Sequence, residues 1–143
     1  MKIKELMTKQ VVTLSGSASI CEAVKLLNKE KIGCLVVLCD GKIEGILTER
    51  DLLHRVLEKG KNPKQTKVSD IMTREVIVGQ PSMEVYEASS IMIKYKIKKL
   101  PIVDKNQSLI GIVTVTDVAR ATIVDKETIE LVEALANMHM LER

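Results

Sequence analysis

"GILTERD", Gly45–Asp51, returns as "GIVTVTD", Gly111–Asp117, 66 positions later (111 − 45). Each copy runs from a glycine through two apolar residues to a threonine, then through two variable residues to an aspartate. Thr-x-x-Asp is a common way to open a helix, because the hydroxyl and the carboxylate satisfy backbone amides that the first turn leaves unpaired. The same four residues also deliver a hydroxyl and a carboxylate to one small volume. The phrase is therefore either punctuation or a site, and its surroundings decide which.

Those surroundings repeat as well. "IKELMTKQVVTLSGSASICEAVKLL" at 3–27 overlays "VSDIMTREVIVGQPSMEVYEASSIM" at 68–92, an offset of 65 (68 − 3). Met7-Thr8 falls on Met72-Thr73 and Ala23 on Ala88, and "KIGCLVV" at 31–37 falls on "KIKKLPI" at 96–102. One residue added in the turn before Leu109 moves the offset to 66. Such internal repetition is the first thing a fold must explain. The predicted division is one unit over residues 1–59, a Lys-rich linker over 60–67, a second unit over 68–123 and a tail over 124–143.

Each copy predicts the order βαββα. Val11–Leu14 and Val76–Val78 are apolar runs of strand type. Ser19 and Glu22 form a capping box, and Ile20, Ala23, Val24 and Leu27 recur at helical spacing. In the second copy Pro81-Ser82 opens the helix, with Val85, Ala88, Met92 and Tyr95 along one face. Two strands follow in each copy, Cys34–Cys39 with Ile43–Leu47 around Asp40-Gly41, and Leu100–Asp104 with Leu109–Val113 around Asn106. The threonine then starts a second helix, Glu49–Leu57 or Val115–Ile123. A unit of this size is marginal alone. The expectation is an α/β (α+β) tandem pair, packed through its sheets about a pseudo-two-fold axis.

Composition limits the chemistry. Aromatic residues are confined to Tyr86 and Tyr95, so the core is aliphatic and no tryptophan is available for stacking. Single-stranded nucleic acid, which is gripped by aromatic platforms, is not an expected partner. A net charge of +3 suits a small anion better than DNA. No apolar run is long enough to span a membrane and the N-terminus lacks a signal-peptide core, so the expected location is the cytoplasm. Cys21, Cys34 and Cys39 form no CxxC pair and are expected as free thiols, the last two as small core residues. His54, expected on a helix surface, and His139 sit in no ligand spacing, so no metal site is expected. There is no Cys–His pairing and no P-loop, and no catalytic residue is assigned.

The repeated "MT…VV", the "KLPIVD" strand and "GIVTVTD" resemble paired CBS domains, the Bateman module, over residues 3–123. The resemblance implies a stand-alone, non-catalytic regulatory module. Its ligand would be an adenosine compound (AMP, ADP, ATP or S-adenosylmethionine) bound in the cleft between the two copies. No cofactor is required, and the signal would pass to an unidentified effector protein. Asp117 would accept hydrogen bonds from the ribose diol, with Thr114, Thr116 and the first amides of the helix toward phosphate. Ile112 would lie alongside, Lys98 and Lys99 near the phosphates, and Val12 and Thr8 against the adenine. The related site would use Asp51, Thr48, Arg50 and Ile46, with Gly33 and Cys34 in place of the lysines and Ile77 and Thr73 as the far wall. Arg50 would replace the missing lysine charge, and the Asp117 site is expected to grip phosphate more tightly. The alternative is a scaffold or nucleic-acid-associated module with vestigial sites. In the tail, Ile129, Val132, Leu135, Ala136 and Met138 form an apolar stripe, which predicts a helix over 126–141 and a homodimer.

Overall fold

The computed structural model describes residues 1–122 together with Glu130, Glu133 and Ala134. Apart from those three residues, the predicted tail helix lies outside the described residues. The chain divides into two compact units. One combines Met1–Gln10 with Ile77–Asn106 and the described residues from Ile110; the other combines Val11–Val76 with Gln107–Leu109. Each unit thus takes the opening segment of the other repeat.

In the Val11–Val76 unit, β1 (Thr13–Ser15) runs parallel to β2 (Cys34–Cys39), which pairs antiparallel with β3 (Lys42–Thr48). Helix α1 (Ile20–Glu30) links β1 to β2 and opens on the expected Ser19–Glu22 capping box. The β2–β3 turn is Asp40-Gly41, and both residues have positive φ (52° and 77°). That is the two-residue hairpin geometry for which Asp-Gly is suited. Between Val37↔Gly45 and Leu38↔Ile43 the register skips Glu44, leaving a bulge that turns the strand toward its C-terminal threonine. Helix α2 (Glu49–Asp51) follows and passes into a π-wound stretch, Leu52–Leu57; α3 (Val68–Ile71) belongs to the next repeat's opening segment.

The unit that contains Ile77–Asn106 repeats the plan with α4 (Val85–Tyr95), β4 (Lys99–Val103), β5 (Leu109–Thr114) and α5 (Val115–Thr122). Its first strand does not form. Only Gly79 bridges Ile102 in parallel, donating to the Pro101 carbonyl and accepting from the Val103 amide. Continuing the ladder toward Ile77 needs an amide at residue 101, and proline has none. In the first copy Val36 stands at that position, and a three-residue strand survives.

The opening segments dock by the same bonds at an offset of 65 (68 − 3). Ile3 donates to the Met83 carbonyl and Val68 to that of Ala18; Lys4 donates to Pro81 and Ser69 to Gly16. The cores correspond too. Leu35, Val37 and Leu47 lie buried under α1 through Ala23 and Leu27, with Val68 of the docked segment. Leu100, Ile102 and Val113 meet Ala88, Met92 and Ile3 in the same way.

Some expectations fail locally. Tyr95 is exposed, because α4 is ending there and its last turn points to solvent. Glu84, not Ser82, takes the N-cap position of α4, without a side-chain cap. Cys39, at the strand end beside the Asp40-Gly41 turn, is exposed and not a core residue. The second hairpin turns around Asn106 as expected, with the positive φ (66°) at Gln107.

Candidate functional site

Both Thr-x-x-Asp phrases are capping boxes. Thr48 Oγ1 accepts from the Asp51 amide (3.1 Å) while Asp51 Oδ2 accepts from the Thr48 amide (3.0 Å). Thr114 and Asp117 do the same at 3.1 and 2.9 Å. Punctuation is therefore part of the answer. Capping does not explain the burial, however. Asp51 and Asp117 are 7% and 8% exposed, and among the described residues they are the only charged side chains that are buried. A carboxylate leaves water at a cost unless its oxygens find donors.

The glycine of each phrase is set by the opening segment. Thr8 and Ile112 exchange backbone hydrogen bonds across an antiparallel bridge, as do Thr73 and Ile46. A Cβ on Gly111 would stand 2.6 Å from Met7 Sδ and 3.1 Å from the Thr8 carbonyl oxygen. On Gly45 it would stand 2.6 Å from Met72 Sδ and 2.9 Å from the Thr73 oxygen. The "MT" and the "GI" of the repeat are thus two halves of one contact, made across repeats. Thr8 is brought beside Ile112 in the unit that holds Asp117, and Thr73 beside Ile46 in the unit that holds Asp51. Val12 lies in the Asp51 unit and packs on that unit's core, and Ile77 lies in the Asp117 unit.

The helix starts are less open than expected. The Val115 amide donates to the Lys98 carbonyl and the Glu49 amide to that of Gly33, both at 3.1 Å. With the Asp117 and Asp51 amides taken by the threonine hydroxyls, two of the three amides in each first turn are engaged. The Lys98 and Gly33 carbonyls thus tie the residue before each strand to the helix start. The Lys98 side chain is exposed, while Lys99, Thr114, Thr116 and Ile112 are half-buried, as are Thr48, Ile46 and Cys34. Cys34 stands opposite Thr48 in the β2–β3 register.

Arg50 is exposed and forms no ion pair among the described residues. The arginine beside Asp51 is Arg55, with Nε 3.8 Å from Asp51 Oδ1 and Nη1 donating to the Ile71 and Met72 carbonyls (2.9 and 3.2 Å). Its counterpart Arg120 has Nη1 3.8 Å from Asp117 Oδ1. Arg120 Nε donates to Glu133 Oε1 at 3.0 Å and Nη2 also meets that oxygen. Glu133 holds the Arg120 guanidinium above its ordinary pKa range. Sequence reasoning missed both arginines. The signal was present as an Arg after each motif aspartate, but at unequal distance, four residues in one copy (55 − 51) and three in the other (120 − 117). The π winding over Leu52–Leu57 takes up the extra residue, because π turns are wider by one residue.

A family model for the CBS domain matches twice, over residues 3–58 and 68–124. The chain belongs to the CBS-domain family. Its two copies make a tandem CBS pair, a regulatory module. The chain is 39% identical over 117 residues to the CBS domain-containing protein YhcV of Bacillus subtilis, covering 82% of each chain. It is 33% identical to an inosine-5'-monophosphate dehydrogenase of Methanocaldococcus jannaschii, matching over 99% of its own length but 29% of that larger enzyme. Among solved structures, the CBS domain pair of protein MJ0100, in complex with 5'-methylthioadenosine and S-adenosyl-L-methionine, aligns with a TM-score of 0.73. That alignment covers 85% of this chain and 94% of that one at 33% identity. No helix among the described residues is long and apolar enough to cross a membrane.

Proposed function

We propose that this CBS pair binds an adenosine-containing ligand at Asp117 and passes its occupancy to an effector protein, without catalysing a reaction itself. The observation that carries this is the state of the Asp117 carboxylate. It is buried, yet only Oδ2 is committed to the backbone, and Oδ1 has no hydrogen bond among the described residues, with Arg120 at 3.8 Å. A buried carboxylate oxygen in this state is an acceptor for a hydroxyl donor, and a ribose diol supplies two. Such charge-assisted hydrogen bonds are among the stronger polar contacts. The two compounds in the MJ0100 complex share an adenosyl group, which supports adenosine as the common element.

Phosphate would be a secondary determinant here. With most first-turn amides engaged, the Thr114 hydroxyl proton, Thr116 and the half-buried Lys99 remain to meet an anion. AMP, ADP, ATP and S-adenosylmethionine are all candidates on this reading. We further propose that the chain works as a homodimer and in the cytoplasm, following its resemblance to other Bateman modules. The test is calorimetric titration with these four compounds and with GTP. Saturable heat with adenosine compounds is expected, weakened about ten- to hundredfold in Asp117→Asn. Heat with none of them, or equal heat with GTP, would refute the reading and favour a scaffold with vestigial sites.

A further inference from the structure

The two motif acids have the same cap, the same bridge to an opening segment and a following arginine, but they differ in one contact. Thr73 Oγ1 donates to Asp51 Oδ1 at 3.1 Å. Thr8, the equivalent residue of the other opening segment, is exposed, and among the described residues its hydroxyl makes no bond to Asp117. The backbone does not cause this difference, since Thr8–Ile112 and Thr73–Ile46 exchange the same pair of hydrogen bonds at 2.8–2.9 Å. The arginines differ in step. Arg55 donates to the Ile71 and Met72 carbonyls, so it pins the segment that carries Thr73. Arg120 instead turns to Glu133.

We propose that Thr73, held by Arg55, is an internal latch on Asp51. Its hydroxyl stands where a ligand's sugar hydroxyl would donate, so the chain takes up one adenosyl ligand, at Asp117, and keeps the Asp51 carboxylate closed. This rests on the reading of Asp117 as the adenosine acceptor. With Oδ2 on the Thr48 amide and Oδ1 on the Thr73 hydroxyl, each oxygen of the buried Asp51 already has a donor, and a ligand hydroxyl approaching Oδ1 competes with the Thr73 hydroxyl for the same side of the carboxylate. The Asp117 site carries no such opposing bond among the described residues.

The experiment is calorimetric stoichiometry on the full chain with AMP, ATP and S-adenosylmethionine. The wild type is expected to bind one ligand per chain. Thr73→Val, nearly isosteric but without the hydroxyl, is expected to add a second event, and Thr73→Ser to restore the single one. Adding Asp51→Asn to Thr73→Val should abolish the second event only. Two equivalent events in the wild type would overturn the proposal, as would a single event in a Thr73→Val chain whose thermal unfolding is still cooperative. If Thr73→Val does not fold, Asp51→Asn alone decides. Unchanged wild-type binding upholds the latch, and loss of that binding overturns it. Loss of all binding in Asp117→Asn with Thr73→Val unchanged would overturn the latch while leaving the adenosine reading intact. Absence of binding in every variant would overturn both.

Discussion

Replacing Asp117 with asparagine separates the two jobs assigned to its carboxylate. As a cap, Asp117 accepts from the Thr114 amide at 2.9 Å through Oδ2. An asparagine carbonyl can accept in the same place, so Asp117→Asn keeps the cap and loses the charge that complements the α5 N-terminus, about 0.3–1 kcal/mol. Asp117→Ala also loses the acceptor, and total destabilisation should reach about 1–2 kcal/mol, the usual range for a lost N-cap contact. Arg120 adds little to either figure, since it lies 3.8 Å from Asp117 Oδ1 and its side chain is half exposed. In the proposed role of ligand acceptor a different outcome is expected. Asparagine offers one acceptor and, at its other end, a donor, so it cannot take both ribose hydroxyls. Losing charge-assisted bonds of about 1.5–3 kcal/mol lowers affinity roughly ten- to hundredfold. Thermal unfolding and calorimetry on the wild type and both variants read the two jobs apart. Asp117→Asn should be nearly as stable as wild type but bind about as poorly as Asp117→Ala. Wild-type affinity in Asp117→Asn, with loss only in Asp117→Ala, would mean that the carboxylate is a helix cap and nothing more.

Gly45→Ala should destabilise more than Gly111→Ala, each by about 1–3 kcal/mol of overpacking, because the new Cβ meets the Thr73 carbonyl at 2.9 Å in one case and the Thr8 carbonyl at 3.1 Å in the other; urea unfolding midpoints give the order. Pairing with Lys2 and the N-terminal ammonium lowers the Glu84 pKa below its ordinary value, so this contribution to holding the N-terminus is complete above the usual carboxylate range and is lost as pH falls through the depressed value. The protection factor of the Val85 amide, which donates to the Met1 carbonyl, taken relative to its intrinsic exchange rate at each pH, should therefore fall on acidification in the wild type, and Glu84→Gln should remove that pH dependence; a protection factor independent of pH in the wild type would count against the pairing. Lys99→Ala should weaken ATP more than AMP, and higher salt should narrow the difference; equal weakening would place Lys99 away from the phosphates. A chain ending at Val124 should form a weaker dimer, scattering light as a monomer at low concentration where the full chain is still paired; a dimer retained at the same concentration would remove the tail from self-association.

The repeat was legible because it is written in residue types with few substitutes. Asp-Gly specifies a two-residue hairpin, Ser19-x-x-Glu22 opens α1, and the Gly of each motif answers to a Met whose sulfur lies 2.6 Å from where a Cβ would be. The exchange of opening segments was not legible, because apolar periodicity tells which residues are buried without telling which repeat buries them; Ile3 and Val68 fit either sheet by pattern alone. The missing strand in the second copy depended on one absent amide, at Pro101, and so on pairing register, which a single strand does not reveal. The arginines escaped for a related reason. Alignment by a constant offset puts Arg55 and Arg120 out of phase with their aspartates, and only the π winding, a property of backbone hydrogen bonding, brings both within 3.8 Å of a carboxylate oxygen. The inequality of the two acids was expected from the lysines at 98 and 99, but the contact that distinguishes them most clearly is the Thr73 hydroxyl. Thr8 and Thr73 are the same residue in the same backbone bridge, so the distinction lies in a side-chain hydrogen bond and in the arginine beside it. The backbone around the two acids is thus the same, and the side chains around them differ: Asp51 Oδ1 accepts from the Thr73 hydroxyl, and Asp117 Oδ1 accepts no hydrogen bond among the described residues.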